Sequence, residues 1–597
     1  MTDHLIPPQP GGDLPADPGN GRPPVHPSLS EAGRLLCAGT YLDATYRDRV
    51  INELFVHEER IAAPSYGFDA VRVLAHALRA RRVELAWAAG IIGAWFVGSL
   101  LTSGALGLLV FPFLMLSFAN WLRGRRNPLV RFLSVLLRLY AWLTVVLTLF
   151  AFWLAVADDS GDMGDISRFF LGGLLPTGRS GGSGSSSGFD GFGGSSGFDS
   201  SAGSGDSSSF FLWLTPLVFA AIVTLVALQR GHGARIVSAE LNPRRYADQS
   251  ADPDTQNARF ARVRGRIRGE QHAPVVMYDI NGPFTGAGDA YRPWQLSVEL
   301  RPREDLGPDR KPQSVTNAHI MERIVPRLLA LRVPSPHGSA QARADVLDRL
   351  RELVVDECVF LPASGLPHRD MAPVSAQQFA EHRLGAVEEG GERRRHFLRI
   401  RVGGWDENLV VTVFVRVHTQ GGMLMLEVAP HVLLPVRTVF QNADADAQRF
   451  LNNTWFGKAV AALAATPGSL GGSLATLGRG IASWWRIVTG GHGGARPEGP
   501  QLSVRELAAQ EDGSLFHLMD LDRYLKTIQD RVVGGVTVAL HEAGWHTEEF
   551  AQRAVHIAEG GTFIQSVSNS AFSVGGTGHH NSTAGGGTGS KGSSGGK

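Results

Sequence analysis

The chain has 597 residues, enough for two to four domains, and a formal net charge of +1, so no global basicity points to nucleic acid as a partner. Only two cysteines occur, Cys37 and Cys358, which excludes the disulfide framework of a small secreted protein. Glycine, at 72 residues, exceeds the usual ~7% and gathers mainly in two tracts, marking flexible connections rather than a repeat.

Residues 1–27 are rich in Pro and Gly and polar, too poor in apolar surface to order themselves, and read as a disordered arm. No secretory signal is visible there, so the first hydrophobic helix is expected to serve as an uncleaved insertion signal. Residues 28–84 read as a cytosolic helical segment. Ser28 or Ser30 caps a helix carrying Leu35, Leu36 and Leu42, and Tyr46–Ile61 places Val50, Ile51, Leu54 and Phe55 on one stripe. Such a short piece makes a thin core and is expected to dock on something larger.

Residues 85–157 carry most of the hydrophobic sequence. Leu85–Leu122 is a 38-residue run without Asp, Glu, Lys or Arg, too long for one crossing of ~20 residues and barely enough for two. Thr102-Ser103-Gly104 is the natural turn, giving helices at about 85–102 and 105–122; a re-entrant pair is the alternative, which Pro112 and the glycines leave open. A third span is expected at about 133–157, with Arg131 and Arg138 snorkelling at its cytoplasmic end. Residues 158–209 then form a Gly/Ser-rich extracytoplasmic loop, with Asp158, Asp159, Asp162 and Asp165 at its start and the pentapeptide SSGFD twice. A fourth span follows at 210–229. Arg79, Arg81 and Arg82 precede the first run, Arg123, Arg125 and Arg126 follow it, and Arg230 and Arg235 close the last. Because Lys and Arg are retained inside, these flanks predict a multi-pass cell-membrane protein with both termini cytoplasmic.

Residues 230–445 read as a cytosolic α+β domain. Pro274–Ile280 and Trp294–Leu300 are two strands joined through Asn281–Gly288. Residues 316–357 show helical periodicity in Ile320, Ile324, Leu328 and Leu329, then Val346, Leu350 and Leu353. An antiparallel β-meander with one buried face follows at 396–402, 409–417 and 423–428, where Leu398, Ile400, Val411, Val413, Leu424 and Leu426 alternate with polar residues. Residues 446–500 form a Gly-rich linker. Within it Leu477, Ile481, Trp484 or Trp485 and Val488 recur at helical spacing, suiting either an interfacial helix or one packed on the sheet. A helical segment at 501–560 puts Leu521, Leu525, Ile528, Val532 and Val536 on one face, ends at Gly544, and restarts at Thr547. Residues 561–597 are β-prone and then disordered.

No catalytic, cofactor-binding or metal-binding signature survives inspection. His541 and His546 are five residues apart, not the four that place two zinc ligands on one helical face. Gly286-Ala-Gly288 lacks the third glycine of a dinucleotide fingerprint and lies between strands, so it reads as a hairpin turn. The aspartates after residue 157 lack calcium-loop spacing, and no G-x-S-x-G elbow surrounds a serine. The absence of ionisable residues from Leu85–Leu122 and from the fourth span disfavours transport chemistry.

Thr562–Gly576, followed by His579-His580-Asn581, is uncharged and β-prone. It resembles the short C-terminal amyloid-signalling motifs of bacterial proteins, RHIM-like segments included, over about 15 residues. It departs from the RHIM core in having Ser566 and Val567 after Ile564-Gln565. The resemblance implies self-assembly through Phe563, Ile564, Val567, Phe572 and Val574; an inert tail, or a strand docked on the last helices, is the plainer alternative. The whole chain, biased to Ala, Gly, Arg and Val, is similar to uncharacterised multi-pass membrane proteins of high-GC bacteria, a resemblance that implies no activity.

The sequence therefore predicts a non-enzymatic membrane protein presenting its cytosolic domain as a scaffold, sensor or signalling component. The alternative is a membrane-perturbing effector assembled through its cytosolic region or tail. The partners expected are the lipid bilayer, further copies of the chain through membrane helices or tail, and a cytosolic protein.

Overall fold

The structure is a computed structural model that describes residues 27–102, 104–123, 127–157, 206–253, 258–305, 311–332, 353–388, 393–403, 409–490 and 494–558. The N-terminal arm, the Gly/Ser loop with its aspartates and the C-terminal tail lie outside these residues. The chain divides into two compact units. One combines residues up to Ala77 with Pro243–Ala443 and the residues from Gly491; the other combines Leu78–Asn242 with Asp444–Gly490. Helices Glu31–Leu42, Ala44–Ile51, Leu515–Glu542 and Glu548–Ala558 thus share one unit with the sheet.

The first unit is built on a mixed sheet of seven strands among the described residues: β1 (Val275–Tyr278), β2 (Asp289–Ala290), β3 (Trp294–Glu299), β4 (Val354–Pro362), β5 (Arg395–Gly403), β6 (Val410–Gln420) and β7 (Met423–Leu433). Strand order is β1-β4-β5-β6-β7, with β2 and β3 both on the outer side of β7. The meander expected from alternation is present as β5, β6 and β7, paired antiparallel. The strands expected at 274–280 and 294–300 also form, but not as a hairpin. β1 pairs in parallel with β4 at one edge, while β3 pairs with β7 at the other. The glycine loop between them is therefore a crossover. On β7, residues Ala290 and Trp294 oppose His431 and Val428, so four steps on the edge strand match three on its partner. This bulge contains Pro293, which has no ladder N–H to give, and Arg292 at φ +47.

The helical reading of 316–357 holds over its first part and is corrected from Val354 on; residues 333–352 lie outside the described residues. Helix Asn317–Leu329 is capped by Thr316, whose hydroxyl accepts from His319 N, and buries Ile320, Ile324 and Leu328. Val346 and Leu350 lie outside the described residues. From Val354 the chain is strand β4, rich in Val and paired along its first seven residues with β5 and along its last four with β1.

One sheet face packs its aliphatic residues against helices Asn317–Leu329, Leu515–Glu542 and Glu548–Ala558. Ser514 and His517 form a capping box at the start of the second, and Leu521, Leu525, Ile528, Val532 and Val536 are all buried. The expectation of a single buried face is overturned. Arg399, Thr412 and Phe414 on the opposite face are 5%, 1% and 0% exposed; Tyr66 packs on Arg399, and Phe284 packs on Phe414 and on the sheet's own Phe360 and Phe397. Arg399 on this face is an internal partner of Asp356 and Tyr66 rather than part of a wet surface.

At the N-terminal end, helix Glu31–Leu42 is capped by Ser30 and buries Leu35 and Leu36, whereas Leu42 is exposed. The Tyr46–Ile61 stripe is realised as helix Ala44–Ile51 and a π turn, Asn52–Val56.

The second unit holds the apolar helices. Ala70–Leu101 begins in the first unit and runs into this one, turns at Gly104 (φ +90), and is followed by Gly107–Arg123, Pro128–Ala157 and Asp206–Arg235. The turn lies at the expected Thr102–Gly104, but the helices begin at 70 and 128, earlier than the apolar runs, because polar helical turns precede them. Four stretches are long and apolar enough to cross a membrane: Ala70–Leu101, Pro128–Phe150, Leu214–Glu240 and Trp455–Thr489. Gly107–Arg123, expected as a span, has only 17 residues, and Trp455–Thr489, expected as a linker with a short interfacial helix, is a continuous 35-residue helix. Proline at 467 does not break it. Trp95 packs edge-on against Phe113 at 5.6 Å and against Phe219 at 6.4 Å, joining three helices around one core.

The crossing of helices Asn317–Leu329 and Leu515–Glu542 provides a test. A Cβ at Gly535 would lie 2.8 Å from Ile324 Cα, whereas one at Gly534 would meet only the end of Arg327 at 3.6 Å. Gly535→Ala should lower stability by about 1–3 kcal/mol through overpacking. Gly534→Ala should raise it by up to about 1 kcal/mol through helix propensity, both read from chemical unfolding of the purified chain.

Candidate functional site

Buried charge in the first unit is organised in closed groups. Asp356 on β4 receives both arms of Arg399 on β5, at 2.7 and 2.6 Å, and Arg399 also donates to Tyr66 Oη at 3.3 Å. On the other side of β4, Glu357 accepts from Arg383 and pairs with His396 Nε2 at 2.8 Å. Burial alone would raise the Glu357 carboxyl, but the His396 and Arg383 hydrogen bonds outweigh it and hold the carboxyl at about 2. Glu270 binds Arg369 through two contacts of 2.8 and 2.7 Å and accepts from Ala62 N. These carboxylates are saturated by their own chain and are not arranged to meet a substrate. Burial pushes the thiols of Cys37 and Cys358 up to about 12, so both are inert as nucleophiles at neutral pH. His431 lies against Phe284 and Phe414, and burial lowers it to about 4, so it is neutral at physiological pH. Among the described residues no three His, Cys, Asp or Glu side chains form a group able to hold a metal ion.

The glycine loop binds an anion, but the anion is internal. Gly286 N and Gly288 N both donate to Glu506 Oε1, at 2.7 and 2.9 Å. Both glycines have positive φ, +106 and +93, and their N–H groups, two residues apart in this turn, converge on one carboxylate oxygen as an anion-binding nest. Side chains cannot be added: a Cβ at Gly286 would lie 2.7 Å from Pro64 O, and one at Gly288 would overlap Val432 O. Sequence reading found the glycines and missed Glu506, which is 220 residues away and carries no local signal.

His541 and Glu542 end helix Leu515–Glu542, and Gly544, at φ +86, turns the chain. Glu542 pairs with Arg323 at 2.8 Å, and His546 N donates to Arg301 O at 2.8 Å. This is helix-end architecture.

In the second unit several of the arginines expected from the sequence to set topology are contact residues. Arg79 pairs with Glu240. Arg81 donates to Ser483 Oγ at 2.8 Å and to Gly480 O at 3.2 Å, and Arg230 donates to Ala461 O at 3.0 Å. Arg82, Arg123 and Arg235 are exposed, and Arg125 and Arg126 lie outside the described residues, as do Phe563, Ile564, Val567, Phe572 and Val574. Helix Trp455–Thr489 buries Ala462, Thr466, Leu470, Ser473, Thr476 and Ser483 against the other helices. Its outward side carries Phe456, Val460, Leu463, Ile481, Trp485 and Val488, each at least half exposed. The small-residue spacing that makes this packing face is visible in the sequence, but it reads there as a glycine-rich linker.

Glu506 yields a pH prediction. Burial raises its carboxyl above the usual value, against the lowering effect of the two glycine amides. The folded state thus binds that proton more tightly than the unfolded state, and this contribution to stability is lost as pH rises from the unfolded carboxyl value through the folded one. Glu506→Gln keeps an acceptor for both amides and should abolish this component, leaving stability at pH 7 equal or higher. Glu506→Ala should cost about 1–3 kcal/mol at every pH by leaving two N–H groups unpaired, as measured by unfolding between pH 4 and 8.

No curated protein and no solved structure matches the chain. Residues 293–572 match the family described as the AbeC-like domain, a stretch that runs from β3 through helix Trp455–Thr489 to beyond the last described helix. The match is a similarity that covers under half of the chain's length.

Proposed function

We propose that the protein is an integral membrane protein of the cell membrane that holds its α+β unit on the cytoplasmic side as a non-enzymatic scaffold, sensor or signalling component. The observation that carries this reading is the exterior of the second unit. Along helix Pro128–Ala157, Leu129, Phe132, Leu139, Trp142, Val146 and Phe150 are each more than half exposed, far beyond what a water-facing surface sustains. Lipid is the solvent that such a surface fits.

Chain connectivity supports an even number of crossings. Residues on both sides of 78–242 belong to one compact unit, as do those on both sides of 444–490, and a compact unit stands on one side of a bilayer. Helices Ala70–Leu101, Gly107–Arg123, Pro128–Ala157 and Asp206–Arg235 supply four crossings. Gly107–Arg123 is about 25 Å long at 1.5 Å per residue, so it spans only where the bilayer thins locally. Arg79, Arg81, Arg82, Arg230 and Arg235, with the exposed Arg244 and Arg245 just beyond, favour a cytoplasmic location for the flanking unit. The closed ion pairs inside that unit favour a binding or presenting role over a catalytic one. Its partner is a cytosolic protein.

Reporter fusions test the arrangement. Reporters after Arg235 and after Gly494 should both read cytoplasmic, one inserted between residues 175 and 200 should read outside, and the chain should resist carbonate extraction. A reporter after Arg235 found outside, or release by carbonate, would sink the proposal.

A further inference from the structure

By length and apolarity, helix Trp455–Thr489 qualifies as a membrane span, yet its contacts lie across the bundle. Near its start, Ala461 O accepts from Arg230. Near its end, Gly480 O and Ser483 Oγ accept from Arg81, and Thr476 Oγ1 donates to Glu84 at 3.3 Å. Arg81 and Arg230 lie at the same end of two antiparallel helices, as the pairing of Trp87 with His232 (ring centroids 6.0 Å apart) and of Gly98 with Val218 shows. Ala461 and Ser483 are separated by about 33 Å along the helix, and both touch that one end. Midway, Ser117 Oγ donates to Pro467 O at 3.4 Å, and Gly471 lets the helix close onto Ser117. A spanning helix would meet the basic end of the bundle once; this one meets it twice.

We infer that Trp455–Thr489 is an in-plane helix that belts the bundle at the cytoplasmic headgroup–acyl boundary, packing on protein with its small polar face and binding lipid with its bulky apolar face. This deepens, and rests on, the membrane reading above. The chemistry of the outward face selects the occupant. Trp455, Trp484 and Trp485 are exposed near its two ends, where amphipathic rings favour headgroup depth. The helix carries Lys458, Arg479 and Arg486 and no acidic residue, complementing anionic headgroups. Its burial pattern is inverted relative to a helix on a soluble core: Ser and Thr are inside, Trp, Ile and Val outside. Both ends of the 444–490 insertion also return to one compact unit, which a single crossing would forbid.

Depth-dependent quenching in nanodiscs tests this on the full chain. Leu463→Cys, Leu474→Cys and Ile481→Cys place a fluorophore on the exposed face, and Val146→Cys places one on helix Pro128–Ala157; native Cys37 and Cys358 are buried and do not label. Nitroxide lipids labelled at the headgroup, near the top of the acyl chain and near its end report depth, in zwitterionic discs and in discs containing phosphatidylglycerol. The expected result is one shallow depth for all three belt positions, about 5–10 Å into the boundary, with Val146→Cys quenched most by the deep lipids. A depth gradient of about 27 Å between positions 463 and 481 would overturn the inference in favour of a crossing helix. Belt labels that escape every lipid quencher while Val146→Cys is quenched would overturn it in favour of a protein cover; self-quenching between labels on two copies would identify that cover as a second chain. Loss of quenching at Val146→Cys would instead defeat the membrane reading itself.

Discussion

Three separated stretches of chain must meet before the sheet unit is complete, and the rest of the structure depends on that closure. Glu270, from the middle stretch, accepts from Ala62 N of the first while Arg369 neutralises it. Glu498, from the last stretch, exchanges backbone hydrogen bonds with Glu59 and Ile61 of the first. Arg72 adds a third tie, stacking 3.8 Å over Tyr246 and donating to its carbonyl and to Asp252. Each tie is buried or partly buried, so removing one partner would strand a polar group away from water. Both apolar insertions thereby begin and end in one folded body.

The same economy of polar groups runs through the sheet. Asp356 and Glu357 are adjacent on β4 and point to opposite faces, yet each finds arginine or histidine partners from its own side. Desolvating such charges is expensive, and good geometry with full hydrogen bonding is what makes it tolerable. Glu506 in the Gly286–Gly288 nest follows the same principle with backbone donors. A loop that looks like part of a nucleotide-binding fingerprint is here filled by the protein's own carboxylate, which joins the crossover between sheet edges to a turn more than two hundred residues later.

The membrane-type unit reverses the ordinary rule for burial. Its small residues face neighbours: Gly98 meets Val218 and Leu106, Gly480 meets Leu85, and Gly471 meets Ser117. Many of its large residues face outward, although Ile91, Trp95, Phe113 and Ile222 form a buried core. Close backbone approach at these small residues adds to the packing of that core. Helix Trp455–Thr489 shares this grammar with the other apolar helices, and its Thr466 and Thr476 hydroxyls bond within the protein rather than to water.

Local pattern determined a great deal of this protein. Period-two alternation in Leu398–Val402, Val411–Val417 and Leu424–Val428 determined three strands and their antiparallel pairing, because side chains on a strand alternate between faces whatever lies beyond. Charge-free runs and the turn at Thr102–Gly104 determined the apolar helices, because hydropathy and length suffice for that. Only the tertiary structure decided that β1 and β3 occupy opposite edges, that the polar side of the meander is buried behind Tyr66 and Phe284, and that Glu506 fills the glycine nest. Each of these depends on residues far apart in the chain, for which local spacing carries no information. Helix Trp455–Thr489 shows the boundary most clearly. Its apolarity was legible, but its direction across the bundle was set by Arg81 and Arg230, whose hydrogen bonds to it span several hundred residues of sequence and arise only once the helices have packed.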